Sequence, residues 1–287
     1  MLFLFFAVIC STCNQLLFKA FARFRIDLLS AIVVNFAACV VIGFSSSSTS
    51  LWHSSIFAQD WYPYSILQGT IFVACMFLLG RTTARQGVAI ASLATRLSVV
   101  IPIIAAFLLY GDLLTVFKII GILASLLALY LSCTDPAGAI QALHSRSILP
   151  LSLFAAFGAY SILIKFIQEK FLSGSSYHTY VLFSFLAAFL ISGSVLAWRL
   201  IKKKQACQWR DLLAGFILGC TNYGAVYFLI RALSVPGWQS SQLFPTVSIA
   251  VVTLSTLCAW AFFNEKLNRR ILWALAIGLG SIVLVNL

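Results

Sequence analysis

The chain is 287 residues long, 62% hydrophobic and only 9% charged, with a formal net charge of +12. Soluble domains carry about 25% charged residues, so this chain has too little polar surface to form a water-soluble fold. The positive charge lies between apolar runs, which makes it a topology signal and gives no support to nucleic-acid binding.

Five apolar segments run from Leu2 to Phe18, Leu28 to Phe44, Tyr62 to Gly80, Gly87 to Tyr110 and Leu113 to Cys133. Five more run from Ile148 to Ile167, Tyr180 to Leu200, Leu212 to Leu233, Ser240 to Phe263 and Ile271 to Leu287. Runs of about 20 residues match a hydrocarbon core roughly 30 Å thick. Backbone groups in lipid must bond within their own segment, and the polar–apolar alternation of barrel strands is absent. The predicted class is an all-α polytopic membrane protein with ten transmembrane helices.

Leu2 to Cys13 has the look of a signal-peptide core, but no basic region precedes it and no small-residue cleavage site follows. It is predicted to stay as the first helix. Ser45 to Ser50 forms an uncharged serine-rich linker, and Trp52, Trp61, Trp198, Trp209 and Trp273 fall near expected interfaces, where Trp is enriched.

The chain repeats itself. Asn14 to Lys19 aligns with Tyr160 to Lys165, Arg81 and Gly87 with Arg231 and Gly237, and Leu108 to Leu114 with Ala261 to Leu267. The offset rises slowly from 146 to 150 to 153, as a duplicated unit with small insertions requires. Residues 1–137 and 147–287 are therefore read as two repeats of five helices. Five is odd, so the second copy crosses the bilayer in the opposite sense. Inverted repeats of this kind build a central site that can face either side, as in many secondary transporters.

Basic residues concentrate after helices 1, 3, 5, 7 and 9: Lys19, Arg23, Arg25; Arg81, Arg85; Arg146; Arg199, Lys202, Lys203, Lys204, Arg210; and Lys266, Arg269, Arg270. The alternate loops and their flanks hold Lys118, Lys165, Lys170 and Arg231. The positive-inside rule makes the first set cytoplasmic and both termini extracytoplasmic. Lys202-Lys203-Lys204 also suits contact with anionic lipid. Cys10 and Cys13 form a CxxC inside an apolar helix; without His or a βαβ context they are read, with Cys39, Cys75, Cys220 and Cys258, as small apolar fillers.

Ten helices in under 300 residues, with Arg96 to Pro102 running on to Leu109-Tyr110-Gly111-Asp112 and with Phe262-Phe263-Asn264-Glu265-Lys266-Leu267, resemble the EamA-like branch of the drug/metabolite transporter superfamily. Members usually read Gly-Glu at that turn; here it is Gly111-Asp112 and Asn264-Glu265. The resemblance covers essentially the whole chain. It implies an inner-membrane permease that moves a small metabolite through a cavity lined mainly by helices 1, 3, 4, 6, 8 and 9.

Arg96 is the sharpest residue-level signal. It lies at least about nine residues from either end of the fourth segment, roughly 14 Å or more, too deep to reach water by extending. Placing a guanidinium there costs at least about 2.5 kcal/mol, so it should face the bundle interior. Ser92 and Ala89 sit one and two turns before it and leave room beside it. Asp27, Asp60, Asp112, Asp135, Glu169, Asp211 and Glu265 all fall at helix ends or in loops, so no deep acid neutralises it. Arg96 is thus expected to meet a carboxylate or phosphate of an anionic or zwitterionic substrate; the structural alternative is capping by backbone carbonyls or by Asn14 or Asn35.

Asn14 and Gln15 on helix 1, Tyr160 and Ser161 on helix 6, and Thr221, Asn222 and Tyr223 on helix 8 supply further candidate substrate contacts. Lys19 and Lys165 are possible cavity-mouth residues, read first as snorkelling cations. Gln68 and Asn35 are read as interhelical glue. Pro102 and Pro245 should kink helices 4 and 9. Gly69, Gly158, Gly215, Gly219, Gly224, Gly278 and Gly280 offer close-packing positions. His53, His144 and His178 lie in loops or at a helix edge, so a buried proton relay is not expected. Without paired acids, a base-activated nucleophile or metal ligands at one depth, an intramembrane enzyme is disfavoured, and no metal or cofactor is expected. The remaining alternative is a flippase of the same fold acting on a lipid or lipid-linked headgroup.

The orientation has a direct test. A phosphatase fused after Leu287 is expected to be active outside the cytoplasm; activity confined to a cytoplasmic reporter would reverse the topology.

Overall fold

The structure, a computed structural model, describes residues 2–24, 26–46, 58–86, 88–110, 115–131, 148–172, 176–203, 208–235, 239–263 and 269–286, with side chains for most of them. Among these residues all regular structure is helical. The helices are α1 (Leu2–Phe24), α2 (Leu28–Ser46), α3 (Tyr62–Gln86), α4 (Val88–Leu97), α5 (Val100–Tyr110), α6 (Val116–Leu131), α7 (Leu149–Lys170), α8 (Ser176–Lys203), α9 (Trp209–Leu233), α10 (Ser240–Phe263) and α11 (Arg269–Asn286). Six of them, α2, α3, α7, α8, α9 and α10, contain stretches long and apolar enough to cross a membrane. Shorter apolar stretches occupy Leu2–Phe18, Ala94–Leu108 and Val116–Leu131. The acidic turns at Gly111-Asp112 and Asn264-Glu265 lie outside the described residues, as do Gly87, Gly237, Arg25, Arg146 and residues 47–50.

The predicted fourth span, Gly87 to Tyr110, is not one continuous helix. α4 stops at Leu97, a turn occupies Ser98 and Val99, and α5 starts at Val100. Pro102 explains the break. It has no N–H to give to the Ser98 carbonyl, and the Ile101 N–H takes that oxygen instead at 3.0 Å. The Val99 N–H reaches the Arg96 carbonyl at 3.5 Å, so the ladder tightens to three-residue spacing for one turn. Pro245, by contrast, is absorbed within α10.

The chain divides into two compact units, residues 1–76 with 163–234 and residues 77–162 with 235–287. They do not coincide with the halves 1–137 and 147–287; each unit draws a segment from each half.

In the first unit α9 packs against α1, α2 and α8, and α2 packs against α8. Small residues set the α2–α9 distance. A Cβ at Gly215 would stand 2.5 Å from the Ala31 carbonyl, and one at Gly219 would stand 2.5 Å from the Ala38 Cβ and 2.6 Å from the Asn35 carbonyl. These glycines, one turn apart, let two backbones approach as in small-xxx-small membrane seams. The Cys39 thiol lies 3.3 Å from the Gly219 carbonyl, and Asn222 Nδ2 donates to Asn35 Oδ1 at 3.1 Å. Gly69 makes a matching approach of α3 to α8, where a Cβ would stand 2.9 Å from both the Ala187 Cβ and the Ala188 nitrogen. Phe36, Phe72 and Phe185 meet at the centre, with ring centroids 5.4 to 6.1 Å apart.

In the second unit α6 packs along α11 and α10 packs against α5, α6 and α11. Ser125 and Ser281 hydroxyls bond at 2.9 Å between α6 and α11. Lys118 donates to Gln239, and Arg270 to the Tyr130 carbonyl at 3.4 Å. Ala91 and Ala94 of α4 bury against Leu153 of α7.

Gly219 gives the packing prediction. Gly219→Leu should cost about 1 to 3 kcal/mol, because the new side chain meets backbone that cannot turn away. Gly193→Ala, with nothing within 4 Å of the added methyl, should be neutral or raise stability by up to about 1 kcal/mol through helix propensity. Melting temperatures of the two variants in detergent check both signs; equal melting would refute the tight seam.

Candidate functional site

α9 arranges polar side chains at three levels. Asp211 stands in its first turn, Thr221 to Tyr223 near its middle, and Tyr227 and Arg231 each four residues further, on one stripe. Asp211 to Arg231 spans about 30 Å at roughly 1.5 Å per residue, the thickness of a hydrocarbon core.

At the first level the Asp211 carboxylate accepts the Gln208 N–H at 3.2 Å, reaching back to cap its own helix, and the Asp27 N–H at 2.9 Å. The Asp27 carboxylate accepts the Ser30 hydroxyl at 2.6 Å and two bonds from Arg199 Nη1 at 2.9 and 3.0 Å. Together with Leu196, Leu200 and Gln208 these residues line a cleft of about 240 Å³. Partial burial alone would raise the Asp27 carboxyl, but the Ser30 hydroxyl and the Arg199 guanidinium outweigh it and hold the group below its ordinary range.

At the middle level Thr221 donates to Asn14 Oδ1, tying α9 to α1. Asn222, proposed from sequence as a substrate contact, spends an amide N–H on Asn35, which is itself 1% exposed. Gln15 is half-buried on α1.

The third level was not anticipated as a unit. The Tyr223 hydroxyl lies 3.1 Å from His178 Nδ1 in the first turn of α8, and the His178 ring stacks on Tyr227 with centroids 4.1 Å apart. Arg231 places its guanidinium 4.9 Å from the Phe3 ring centre and 5.2 Å from that of Tyr177. Its Nε is buried and has no hydrogen-bond partner among the described residues. Phe228 extends the wall, 5.2 Å from Phe6 and 5.5 Å from Tyr227. The recurrence of Tyr223, Tyr227 and Arg231 every four residues is the sequence signal that points to this cluster.

No family model matches the chain. A Haemophilus influenzae protein described as uncharacterized is 24% identical over 271 residues, covering 93% of this chain and 91% of its own length. A crystal structure described only as that of a protein is similar with a TM-score of 0.75 and 17% identity, over 99% of this chain and 96% of its own. The fold therefore has a solved counterpart.

The remaining sequence candidates separate. Arg96, Ser92, Tyr160 and Ser161 belong to the second unit, while Asn14, Gln15, Asn222 and Tyr223 belong to the first. Arg96 is half-buried in the last turn of α4, just before the break, where a cation complements the negative end of the helix dipole. The Ser92 side chain lies outside the described residues, as does that of Lys19. Tyr160 is half-buried, and Ser161 donates to the Phe157 carbonyl of its own helix at 3.0 Å. Lys165 lies 3.2 Å from Glu169 and 3.2 Å from Gln168, partners one turn along α7.

The Asp27 clasp gives a pH prediction. Its carboxyl is depressed, so its contribution to stability is complete above the ordinary carboxylate value of about 3.9 and is lost as pH falls through the folded-state value. Acid melting curves are expected to show that loss below about pH 4 in the native chain and a shallower one in Asp27→Asn. Superimposable curves would detach Asp27 from the acid limb.

Proposed function

We propose that this chain is an inner-membrane permease of ten transmembrane helices, with both termini outside the cytoplasm and the two inverted repeats 1–137 and 147–287, similar to EamA-like carriers. It moves a small anionic or zwitterionic metabolite by alternating access. The observation that carries the reading is reciprocity of contacts. Gly69, from the first half, packs on the Ser184–Ala188 turn of the second, and Gly219, from the second half, packs on the Asn35–Ala38 turn of the first. Gly69 and Gly219, Asn35 and Ser184, and Ala38 and Ala187 are counterparts under the rising offset of the sequence repeat. Residues also touch their own counterparts: the Phe36 and Phe185 rings at 6.1 Å, and the Ser125 and Ser281 hydroxyls 156 positions apart. Swapped contacts are the mark of isologous packing about a twofold, and self-contacts occur only near its axis. Counterparts carried by antiparallel copies fit an axis in the membrane plane, which is how alternating-access carriers are built.

Helix charge placement supports the bilayer. The acidic and basic groups of α9 fall at its ends, about 30 Å apart. Arg231, in the last turn of α9, has a buried Nε–H to offer an anionic group on the substrate.

Counterflow in proteoliposomes tests the reading. Vesicles holding the purified protein and loaded with amino acids, organic acids or phosphorylated intermediates are expected to exchange labelled ligand of one class saturably. Flipping of a labelled phospholipid without any such exchange would replace the permease by a headgroup flippase. Neither activity would remove both.

A further inference from the structure

The aromatic recess at the C-terminal end of α9 holds a cation whose environment calls for an anion. The Arg231 guanidinium lies over the rings of Phe3 and Tyr177, which attract it through their ring quadrupoles. Its buried Nε–H lacks an acceptor among the described residues. A buried donor left unmet is costly, more so on a charged group. Arg231 is only partly buried as a whole, and so are His178, Tyr227 and Phe228. His178 stands within electrostatic reach of Arg231 and adds a second nitrogen-bearing group to the wall. Among the described residues, none of the partners of this cluster is a carboxylate. Arg96 belongs to the other unit, in the last turn of α4 next to the helix break, where it complements the negative end of the helix dipole.

We propose that the recess formed by Phe3, Tyr177, His178, Tyr227, Phe228 and Arg231 binds the oxyanion of an organic anion, a carboxylate or phosphate, with its apolar part packed on the ring wall. The Arg231 fork takes the oxyanion with paired donors, the geometry for which arginine is suited and lysine is not. The inference rests on the permease reading for its role, since it names the group on the transported molecule that the protein recognises. The site itself is independent of transport.

Binding of phenyl phosphate, benzoate and inorganic phosphate to the purified chain in neutral detergent tests it, by calorimetry and thermal shift. Phenyl phosphate or benzoate is expected to bind more tightly than inorganic phosphate, because only the organic probes use the rings. Arg231→Gln should weaken the organic probe roughly tenfold or more, as loss of a charged hydrogen-bonded contact does. Arg231→Lys should weaken it less while keeping the charge against the rings, which guards against a merely unfolded glutamine variant. Tyr227→Leu should narrow the gap between organic and inorganic probes, and Arg96→Gln should bind like the native chain. Unchanged affinity in both Arg231 variants, or loss in Arg96→Gln only, overturns the proposal. So does the absence of binding by any probe at 10 mM, a ceiling about tenfold above a millimolar dissociation constant.

Adding phosphatidylglycerol to the micelles separates the two sources of the oxyanion. Competition with the probe identifies a lipid headgroup as occupant, and indifference identifies a soluble anion; either result upholds the site. Counterflow of the bound probe then separates the levels of inference. Binding lost in Arg231→Gln without counterflow in the native chain sinks the permease and keeps the site. Counterflow and probe affinity that both persist in the two Arg231 variants sink the site and keep the permease.

Discussion

Close approach of α2 and α9 is the constraint on which the first unit depends. Gly215 and Gly219 bring the backbones together, and only at that distance can Asn222 reach Asn35 and the Cys39 thiol reach the Gly219 carbonyl. Lipid offers no hydrophobic drive for helix association, so packing, small residues and a few interhelical hydrogen bonds must supply it. The same seam fixes which face of α9 is left for other work. With Asn222 turned to α2, Tyr223, Tyr227 and Arg231 are presented to α8 and α1, where His178, Tyr177 and Phe3 stand.

Ends and middle of α9 are built on different physics. At one end Arg199 pairs with Asp27, while Asp211 accepts the Asp27 N–H and caps its own helix. At the other end Arg231 is held by ring faces, which stabilise its charge without consuming its donor edge. A paired cation is spent on structure, whereas a cation on aromatic faces keeps its capacity for a ligand. That contrast directs attention to the aromatic end.

Apolar run length made the helical class legible, because bilayer thickness leaves few options for about 20 apolar residues. Helix ends were less legible: α1 continues to Phe24 and α8 begins at Ser176, past the apolar limits, since interfacial polar residues such as Lys19 and His178 do not stop a helix. Pro102 was read as a kink and proved to be a break, a difference that depends on whether Ile101 captures the orphaned Ser98 carbonyl. Among site residues, depth in the sequence singled out Arg96 and the Asn14 and Thr221–Tyr223 groups. It could not say that Asn222 would be used on Asn35, because partner choice depends on which helices meet. His178 and Arg231 were each assigned to an edge by position, because their shared cluster exists only when α8, α9 and α1 are brought side by side.

Interleaving of the two units has a consequence for how the protein is made. Asn35 and its partner Asn222 are 187 positions apart, and Cys39 and Gly219 are 180 apart. At translation rates of 5 to 20 residues per second, α2 waits about 10 to 40 s for α9 to emerge. During that interval its central amide sits in the membrane without its final partner, and the small-residue face that will receive Gly215 and Gly219 stands open. The first half of the chain is therefore an early-born client, dependent on the insertion machinery or on provisional neighbours until the second half arrives to close the seam.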